Sequence, residues 1–190
     1  MPPKNKITRE QIIQAALRLL RREGEAAVSI RAVAAEAGCS TQPVMSQFAA
    51  AEALKSALYA AADAEHTAYI MPQDPAEPRP MLGIGLRYIR FAAQEPQLFR
   101  FLFQSGRLGS GSPAALLQGA GSAPLVQLLA AQASIGEAAA KDAFAAIFCA
   151  VHGLASLLAN NALQYDESEC TRILTAIYEG VLRGTEGDAS

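Results

Sequence analysis

Uncharged polar side chains surround a proline in the short stretch CSTQPVMSQF, which runs from Cys39 to Phe48. Its amides and hydroxyls can donate and accept hydrogen bonds, and its thioether can make apolar contacts, all without charge. These groups match the donors, acceptors and methyl groups that base edges present in the major groove of DNA, although polar residues on a short helix are more often simply solvated. The candidate base-contacting residues are Thr41, Gln42, Met45, Ser46 and Gln47.

Two helices are predicted ahead of this stretch. The sequence TREQ, beginning at Thr8, is a capping box that starts the first helix, and Gly24 supplies its stop. Ser29 starts the second helix, and Gly38 ends it after about two turns, which is too short to be stable without packing on neighbours. The two helices must therefore pack against each other and against the next helix in the chain.

A third helix is predicted to begin directly after the glycine turn. Ser40 is its expected N-cap, and its hydroxyl is expected to accept from the Gln42 amide because Pro43 has no N–H. Val44 and Phe48 lie one turn apart and are expected to face inward. Two short helices joined by a glycine-containing turn of about three residues are typical of a helix-turn-helix unit.

The positive charge of the chain is concentrated near its N-terminus. Residues 1 to 60 carry eight Lys/Arg and five Asp/Glu, a net +3, whereas the remaining residues carry eight and thirteen, a net −5. A basic segment on an acidic body favours binding of a polyanion by that segment. The candidate phosphate contacts are the backbone amides at Ser40 and Thr41 with the side chains of Arg31, Lys55, Lys4, Lys6 and Arg9, so binding is expected to depend on salt.

The rest of the chain also shows helical periodicity. A fourth helix is predicted over about residues 50 to 70, and PQDPAEPRP, residues 72 to 80, then breaks the chain with four prolines. No stretch alternates with period two for long enough to form a sheet. The sequence predicts an all-α protein of about nine helices, with a three-helix domain at residues 1–50, a connecting helix at about 51–70 and a larger helical domain at 71–190.

Several segments of the chain resemble the tetracycline-repressor (TetR) family of bacterial transcription regulators, in particular a branch that carries CSTQP in the turn. The matching N-terminal segments are IIQAALRLLRREG, VSIRAVAAEAGCS, TQPVMSQF and EALKSAL, and LGIGLRYIRFAAQEPQLFRFLF and CAVHGLASLLANNAL match further along. The resemblance implies a DNA-binding first domain, a second domain that binds a small effector, and a homodimer formed through the last two long helices. Repression is the mode of regulation that it implies.

Two positions depart from the family pattern. Met45 stands where an aromatic residue, usually Tyr, commonly touches phosphate, and Ala51 stands where a Lys commonly begins the fourth helix. Both changes remove contacts to the DNA backbone. We therefore expect a weaker affinity or a different footprint, with DNA binding retained.

Aromatic residues outside the helix-turn-helix are candidates for an effector site. Such residues are usually core, but an all-α body can leave an apolar pocket between helices with a few polar groups that orient a ligand. A small, largely apolar effector is expected. The candidate effector residues are Tyr88, Phe91, Phe103, Phe148 and His152. The candidate dimer contacts, on helices rich in small residues, are Leu154, Leu157, Leu158, Ile173 and Ile177.

The inventory of reactive residues argues against an enzyme. The chain has two histidines, His66 and His152, on different predicted helices, with no nucleophile motif, metal-ligand spacing or glycine-rich phosphate loop, so no catalytic residue, metal or cofactor is predicted. The three cysteines form no CxxC pair, which fits a reducing cytoplasm. We expect neither a signal peptide nor a membrane span, since the apolar run over residues 143 to 159 is interpreted as a buried helix.

Two alternative functions stay open from the residues alone. A helical carrier or interaction protein can contain a helix-turn-helix without reading DNA, and it would show no salt-sensitive specific binding. A constitutive DNA-binding protein would bind an operator without responding to any effector.

Overall fold

The computed structural model describes residues 7–72, 74, 76–106, 117 and 121–187, and every regular element within them is helical. The all-α prediction is confirmed, with nine α-helices and one short 3₁₀ turn in this part of the chain. The glycine-serine stretch at 108–112, which the sequence suggests is a loop, lies outside the described residues. The elements are α1 (Arg9–Glu23), the 3₁₀ turn (Glu25–Ala27), α2 (Ile30–Glu36), α3 (Thr41–Gln47), α4 (Ala51–Ile70), α5 (Pro80–Gln94), α6 (Pro96–Phe103), α7 (Ala123–Ala133), α8 (Glu137–Asn160) and α9 (Glu167–Gly187).

The helices group into two compact units. The first consists of the described residues up to Ala68 together with Glu95–Ser105, and the second consists of Tyr69–Gln94 with the described residues from Gly106 onward. The division predicted from the sequence assigned every residue after 70 to the second domain, whereas α6 belongs to the first compact unit. Within this unit α6 packs against α1, and its Phe101 ring lies edge-on to the Tyr59 ring of α4.

The ends of α1 agree with the predicted local chemistry. The Thr8 hydroxyl accepts from the Gln11 amide at 3.2 Å, and the Gln11 side chain accepts from the Thr8 amide at 2.9 Å, which completes the capping box. Gly24 then ends the helix with φ of +83°, a conformation that L side chains rarely adopt. On its inner face Ile12 and Leu20 are fully buried.

The turn and α3 match the prediction except at the N-cap. Pro43 is the third residue of α3. Val44 within the helix and Phe48 directly after it are buried. The Ser40 hydroxyl, however, makes no capping hydrogen bond to any described residue, so the expected bond from Gln42 is wrong. A cap hydroxyl usually reaches the amides of the second or third helical residue, and the third residue here is Pro43, which has no N–H.

In the second unit, α8 packs against α5, α7 and α9. The contact with α5 is close at Gly85, where an added Cβ would lie 2.9 Å from Leu174 Cδ2 and 3.3 Å from Val151 Cγ2. The absence of a side chain at Gly85 thus allows the backbone of α5 to approach both long helices. Polar contacts tie other helices together, including the 2.7 Å hydrogen bond from Gln132 Nε2 to the Tyr178 hydroxyl.

Helix α8 is unusually apolar. Among the described residues it is the one helix with the length and composition to cross a membrane, but core helices of folded domains meet the same criteria. Only 33% of its most apolar window is buried within this chain. Much of its apolar surface is therefore left uncovered by the described helices of the second unit.

His66 on α4 is the titratable group most affected by burial in the first unit. The side chain is 5% exposed and packs edge-on against the Phe103 ring, with 5.0 Å between ring centroids. Burial disfavours the charged imidazolium and lowers the pKa of His66 from 6.5 to about 4. The folded protein therefore holds His66 neutral at pH values where the unfolded chain binds a proton.

This difference predicts a loss of stability in mild acid. Stability is fully present above pH 6.5 and is lost as the pH falls from 6.5 through 4, so the free energy of unfolding should be about 2 kcal/mol lower at pH 5 than at pH 7. Urea unfolding at pH 5 and at pH 7 measures this difference in the free energy of unfolding. His66→Gln should lose most of this difference, because glutamine does not titrate between the two pH values. An equal decrease in the variant would contradict the assignment to His66.

Candidate nucleic-acid interface and effector site

The outer face of α3 carries the polar residues predicted to contact bases. Thr41, Gln42, Met45 and Ser46 are exposed, with Met45 57% exposed despite its apolar side chain. At 100° per residue, these four positions fall within one sector of the helix, opposite the buried Val44. The structure therefore brings them together on one surface, which carries no charge.

Two of the five candidates are partly engaged within the helix. The Ser46 hydroxyl donates to the Pro43 carbonyl at 2.8 Å, so in this conformation its oxygen is left as an acceptor. Gln47 is only half-exposed, at the last position of α3. Gln42 near the start of the helix is thus the better placed of the two amides to reach a base edge.

The candidate phosphate contacts differ in how available their charges are. Arg31 is exposed at the second position of α2, and Ser40 and Thr41 are exposed at the start of α3. Lys55 is half-buried, and its ammonium lies 3.2 Å from a Glu25 carboxylate oxygen, so its charge is already balanced. Lys4 and Lys6 lie outside the described residues. Arg31 and the helix start therefore carry most of the predicted phosphate-binding capacity in the described part.

Further arginines of α1 are paired inside the first unit. Arg18 and Arg22 both bind Glu36 on α2, at 3.1 and 2.9 Å, and their hydrogen bonds lower the pKa of that carboxyl. Arg21 reaches Glu65 on α4 and, at 3.2 Å, Glu95 just before α6. The net charge of +3 counted from the sequence is therefore not a free basic surface, because these arginines join helices.

Arg9 has a role that the sequence did not indicate. It was predicted as a phosphate contact of the N-terminal arm, but its guanidinium donates to the Gln47 carbonyl at 3.0 Å. It also lies over the Phe48 ring, 4.1 Å from the centroid. Arg9 and Gln47 are 38 residues apart, so no periodicity or local motif could have revealed the contact.

Three of the five predicted effector residues meet in the second unit. The Tyr88 hydroxyl lies 2.9 Å from His152 Nδ1, and Phe148 stacks on the His152 ring with centroids 5.7 Å apart. Phe144 continues the stack, 6.0 Å from Phe148. Burial raises the pKa of the Tyr88 hydroxyl and lowers the pKa of His152, so both groups are neutral near pH 7. We call Tyr88, Phe144, Phe148 and His152 the tyrosine–histidine cluster.

The other two predicted effector residues lie elsewhere. Phe91 is 3% exposed and packs against Tyr69, with 5.5 Å between ring centroids. Phe103 belongs to the first unit, where its ring contacts His66 and Phe99. Phe103 therefore belongs to a different compact unit from the tyrosine–histidine cluster.

The predicted dimer contacts lie on partly exposed faces of α8 and α9. Leu157 is 53% exposed, which is high for leucine, and Leu154 and Leu158 beside it are half-exposed. Ile173 and Ile177 on α9 are half-exposed as well. These five apolar side chains therefore retain surface that nothing in the described part of this chain covers fully.

The described side chains do not form a metal site. In the ranges that the structure describes, no group of three or more His, Cys, Asp or Glu side chains is arranged to hold a metal ion. Cys39, Cys149 and Cys170 are free thiols.

One family model matches the chain. A model described as "Tetracyclin repressor-like, C-terminal domain" matches residues 81–180, which is more than half of the chain. A search of curated proteins gives no match. Among solved structures, a TetR-family transcriptional regulator from Streptomyces coelicolor is 22% identical, with a TM-score of 0.67 over 95% of this chain and 88% of its own.

A second solved structure is similar over a comparable length. A single-substitution variant of TetR from Acinetobacter baumannii AYE, determined in complex with minocycline, is 20% identical, with a TM-score of 0.60 over 97% of this chain and 99% of its own. At these identities the two structures support the shared fold. Because the family model covers most of the second compact unit, the chain belongs to the tetracycline-repressor-like family of transcriptional regulators.

Proposed function

We propose that this regulator binds a palindromic operator as a homodimer, represses transcription there, and is released by a small effector. The observation that carries the proposal is the exposed, uncharged face of α3, held by the buried Val44 and Phe48 in a helix-turn-helix. A polar surface of this kind on a helix that fits the major groove suits reading of base edges. As a DNA-bound regulator the protein would act in the cytoplasm.

The side chains of α3 favour particular bases. The Gln42 amide suits the N6 and N7 edge of adenine, Thr41 can donate or accept, and the Met45 thioether can pack on a thymine methyl group. No Arg on α3 is available to bind guanine. We infer that the half-sites contain A·T pairs at the positions that α3 contacts.

We expect only a small set of groups on the protein to contact the phosphates of the DNA backbone. Arg31 and the α3 amides at Ser40 and Thr41 are exposed, while Lys55 is balanced by Glu25. Met45 and Ala51 also lack the phosphate-contacting side chains usual at these positions. Few phosphate contacts predict modest affinity and a shallow dependence on salt, because each contact that displaces counterions adds to the slope.

The proposed dimer uses α8 and α9. Their partly exposed leucines and isoleucines, and the low burial of the apolar window of α8, leave apolar surface that a second copy would cover. Two-fold symmetry would place the two recognition helices on half-sites with centres about 34 to 36 Å apart, or a multiple of that distance.

The proposed effector site centres on the tyrosine–histidine cluster. Stacked rings with one neutral hydroxyl and one neutral imidazole suit a small, largely apolar molecule that carries a hydrogen-bonding group. The solved structure from A. baumannii is in complex with minocycline, a ligand of that protein. We infer effector binding within the second unit of this chain, with Phe91 and Phe103 less favoured because they pack elsewhere.

The experiment that tests the proposal is DNA binding measured by fluorescence anisotropy. A labelled duplex from the intergenic region upstream of the gene is compared with a scrambled duplex at several salt concentrations. We expect specific, salt-dependent binding to a palindrome, and release when the correct effector is added. Equal affinity for both duplexes would contradict the operator proposal, and specific binding that no candidate ligand relieves would favour a constitutive DNA-binding protein.

A further inference from the structure

The first observation concerns the C-terminal end of α3. This end is bonded by a side chain from α1, the Arg9 guanidinium, whose Nη1 donates to the carbonyl of Gln47 at 3.0 Å. Gln47 is the last residue of the helix, so its carbonyl is one of the acceptors that an α-helix leaves without an intrahelical partner. A cation at that position also offsets the negative end of the helix dipole.

The same guanidinium makes a second contact at this end. Its central carbon lies 4.1 Å from the centroid of the Phe48 ring. Phe48 comes directly after α3 and is 1% exposed, so its ring is fixed in the core of the first unit. Arg9 therefore connects the end of α3 to a rigid side chain through a hydrogen bond and a cation–π contact.

Helix α3 has few stabilising features of its own. It is seven residues long, its N-cap makes no side-chain hydrogen bond to a described residue, and neither of its terminal turns contains a charged residue. Isolated helices of this length are unstable in water, so α3 depends on the contacts that other elements provide. In the described part of the chain, the Arg9 contact adds a side-chain hydrogen bond from another helix at the C-terminal end of α3, next to the buried Val44 and Phe48.

We propose that Arg9 is a positioning residue for DNA recognition. By fixing the C-terminal end of α3 against α1, it sets the orientation in which Thr41, Gln42 and Met45 face the major groove. This inference rests on the proposed DNA-binding function. It differs from the phosphate-contact role predicted from the sequence, because the guanidinium acts on the protein and not on the DNA backbone.

The two roles predict different effects on binding. Loss of a phosphate contact weakens specific and non-specific binding alike, and it lowers the slope of log affinity against log salt by about 1. Loss of a positioning contact weakens specific binding selectively and leaves the slope unchanged, because no counterion release is lost. It also loosens α3 in the free protein.

The test compares Arg9→Ala and Arg9→Lys with Arg22→Ala. Arg22 is an exposed arginine of the same helix, paired with Glu23 and Glu36, and its replacement by Ala changes the net charge by the same amount as Arg9→Ala. Dissociation constants for the operator and for a scrambled duplex are measured from about 50 to 200 mM salt. Amide hydrogen exchange of the free proteins is followed at Phe48, whose N–H donates to the Val44 carbonyl at 2.9 Å.

For Arg9→Ala we expect a roughly 5- to 10-fold loss of operator affinity, an affinity for the scrambled duplex equal to that of Arg22→Ala, and faster exchange at Phe48. Arg9→Lys should recover part of the affinity, since it keeps the charge but not the planar group. Arg22→Ala should leave exchange at Phe48 unchanged.

Three results would overturn the inference. Equal weakening on both duplexes with a lower salt slope in Arg9→Ala would identify a phosphate contact. If the unaltered protein binds specifically but Arg9→Ala leaves the operator affinity or the exchange at Phe48 unchanged, Arg9 does not position α3. The proposed function would then stand without this role. An unaltered protein that does not distinguish the two duplexes would overturn the proposed function, and the recognition role of Arg9 with it.

Discussion

Replacing Leu157 by Glu should convert the protein to a monomer and reduce its operator affinity by about a hundredfold or more. Leu157 is 53% exposed on α8, on the face that we propose a second copy covers. A carboxylate there would be buried without a partner, which typically costs about 3 to 5 kcal/mol. A monomer would bind one half-site, and the gain from simultaneous binding of two half-sites would be lost.

Leu163→Glu is the matched control for this prediction. Leu163 is 56% exposed in the segment between α8 and α9 and lies outside the predicted dimer contacts. Analytical ultracentrifugation gives the oligomeric state, and anisotropy on the palindromic duplex gives the affinity. The interface assignment fails if Leu157→Glu sediments as a dimer, or if both variants dissociate to the same extent.

Replacing Gln42 by Ala should remove most of the discrimination at one base position of the operator. A bidentate amide–adenine pair contributes about 1 to 3 kcal/mol of discrimination, so the affinity ratio between the operator and a variant at that position should fall roughly 5- to 150-fold. Binding to a scrambled duplex and the salt slope should stay unchanged, because an uncharged side chain displaces no counterion.

Gln14→Ala serves as the control, since Gln14 is an exposed glutamine on α1, outside the proposed reading surface. Anisotropy titrations with single-position operator variants provide the measurement. If Gln42→Ala discriminates among these variants as well as the unaltered protein does, Gln42 does not read a base.

Much of the first unit could be predicted because its signals are local. The capping box at Thr8, the stop at Gly24 and the third position of Pro43 are all set by residues within one turn of each other. Helical spacing alone predicts the inward positions Val44 and Phe48. The one local expectation that failed, the Ser40 cap, involved a helix start where proline removes the usual donor.

The sequence indicated which residue types form the candidate sites, but it indicated less well which of those residues contact one another. Tyr88 and His152 are 64 residues apart, and their hydrogen bond depends on how α5 packs on α8. Phe103 was grouped with them as an aromatic residue outside the helix-turn-helix, but its ring packs on His66 of α4 in the first compact unit. The aromatic residues of a sequence do not by themselves show which helices pack against one another.

The sequence by itself therefore determined the helices, the family resemblance and the uncharged outer face of α3, because capping, glycine stops and helical periodicity act between neighbours in the chain. Only the tertiary structure decided which charges remain available to DNA. Lys55 is balanced by Glu25, 30 residues away, and Arg9 is turned toward Gln47 and Phe48. The physical reason is that an ion pair or a cation–π contact forms only where packing brings its partners within a few ångströms, whatever their separation in the chain.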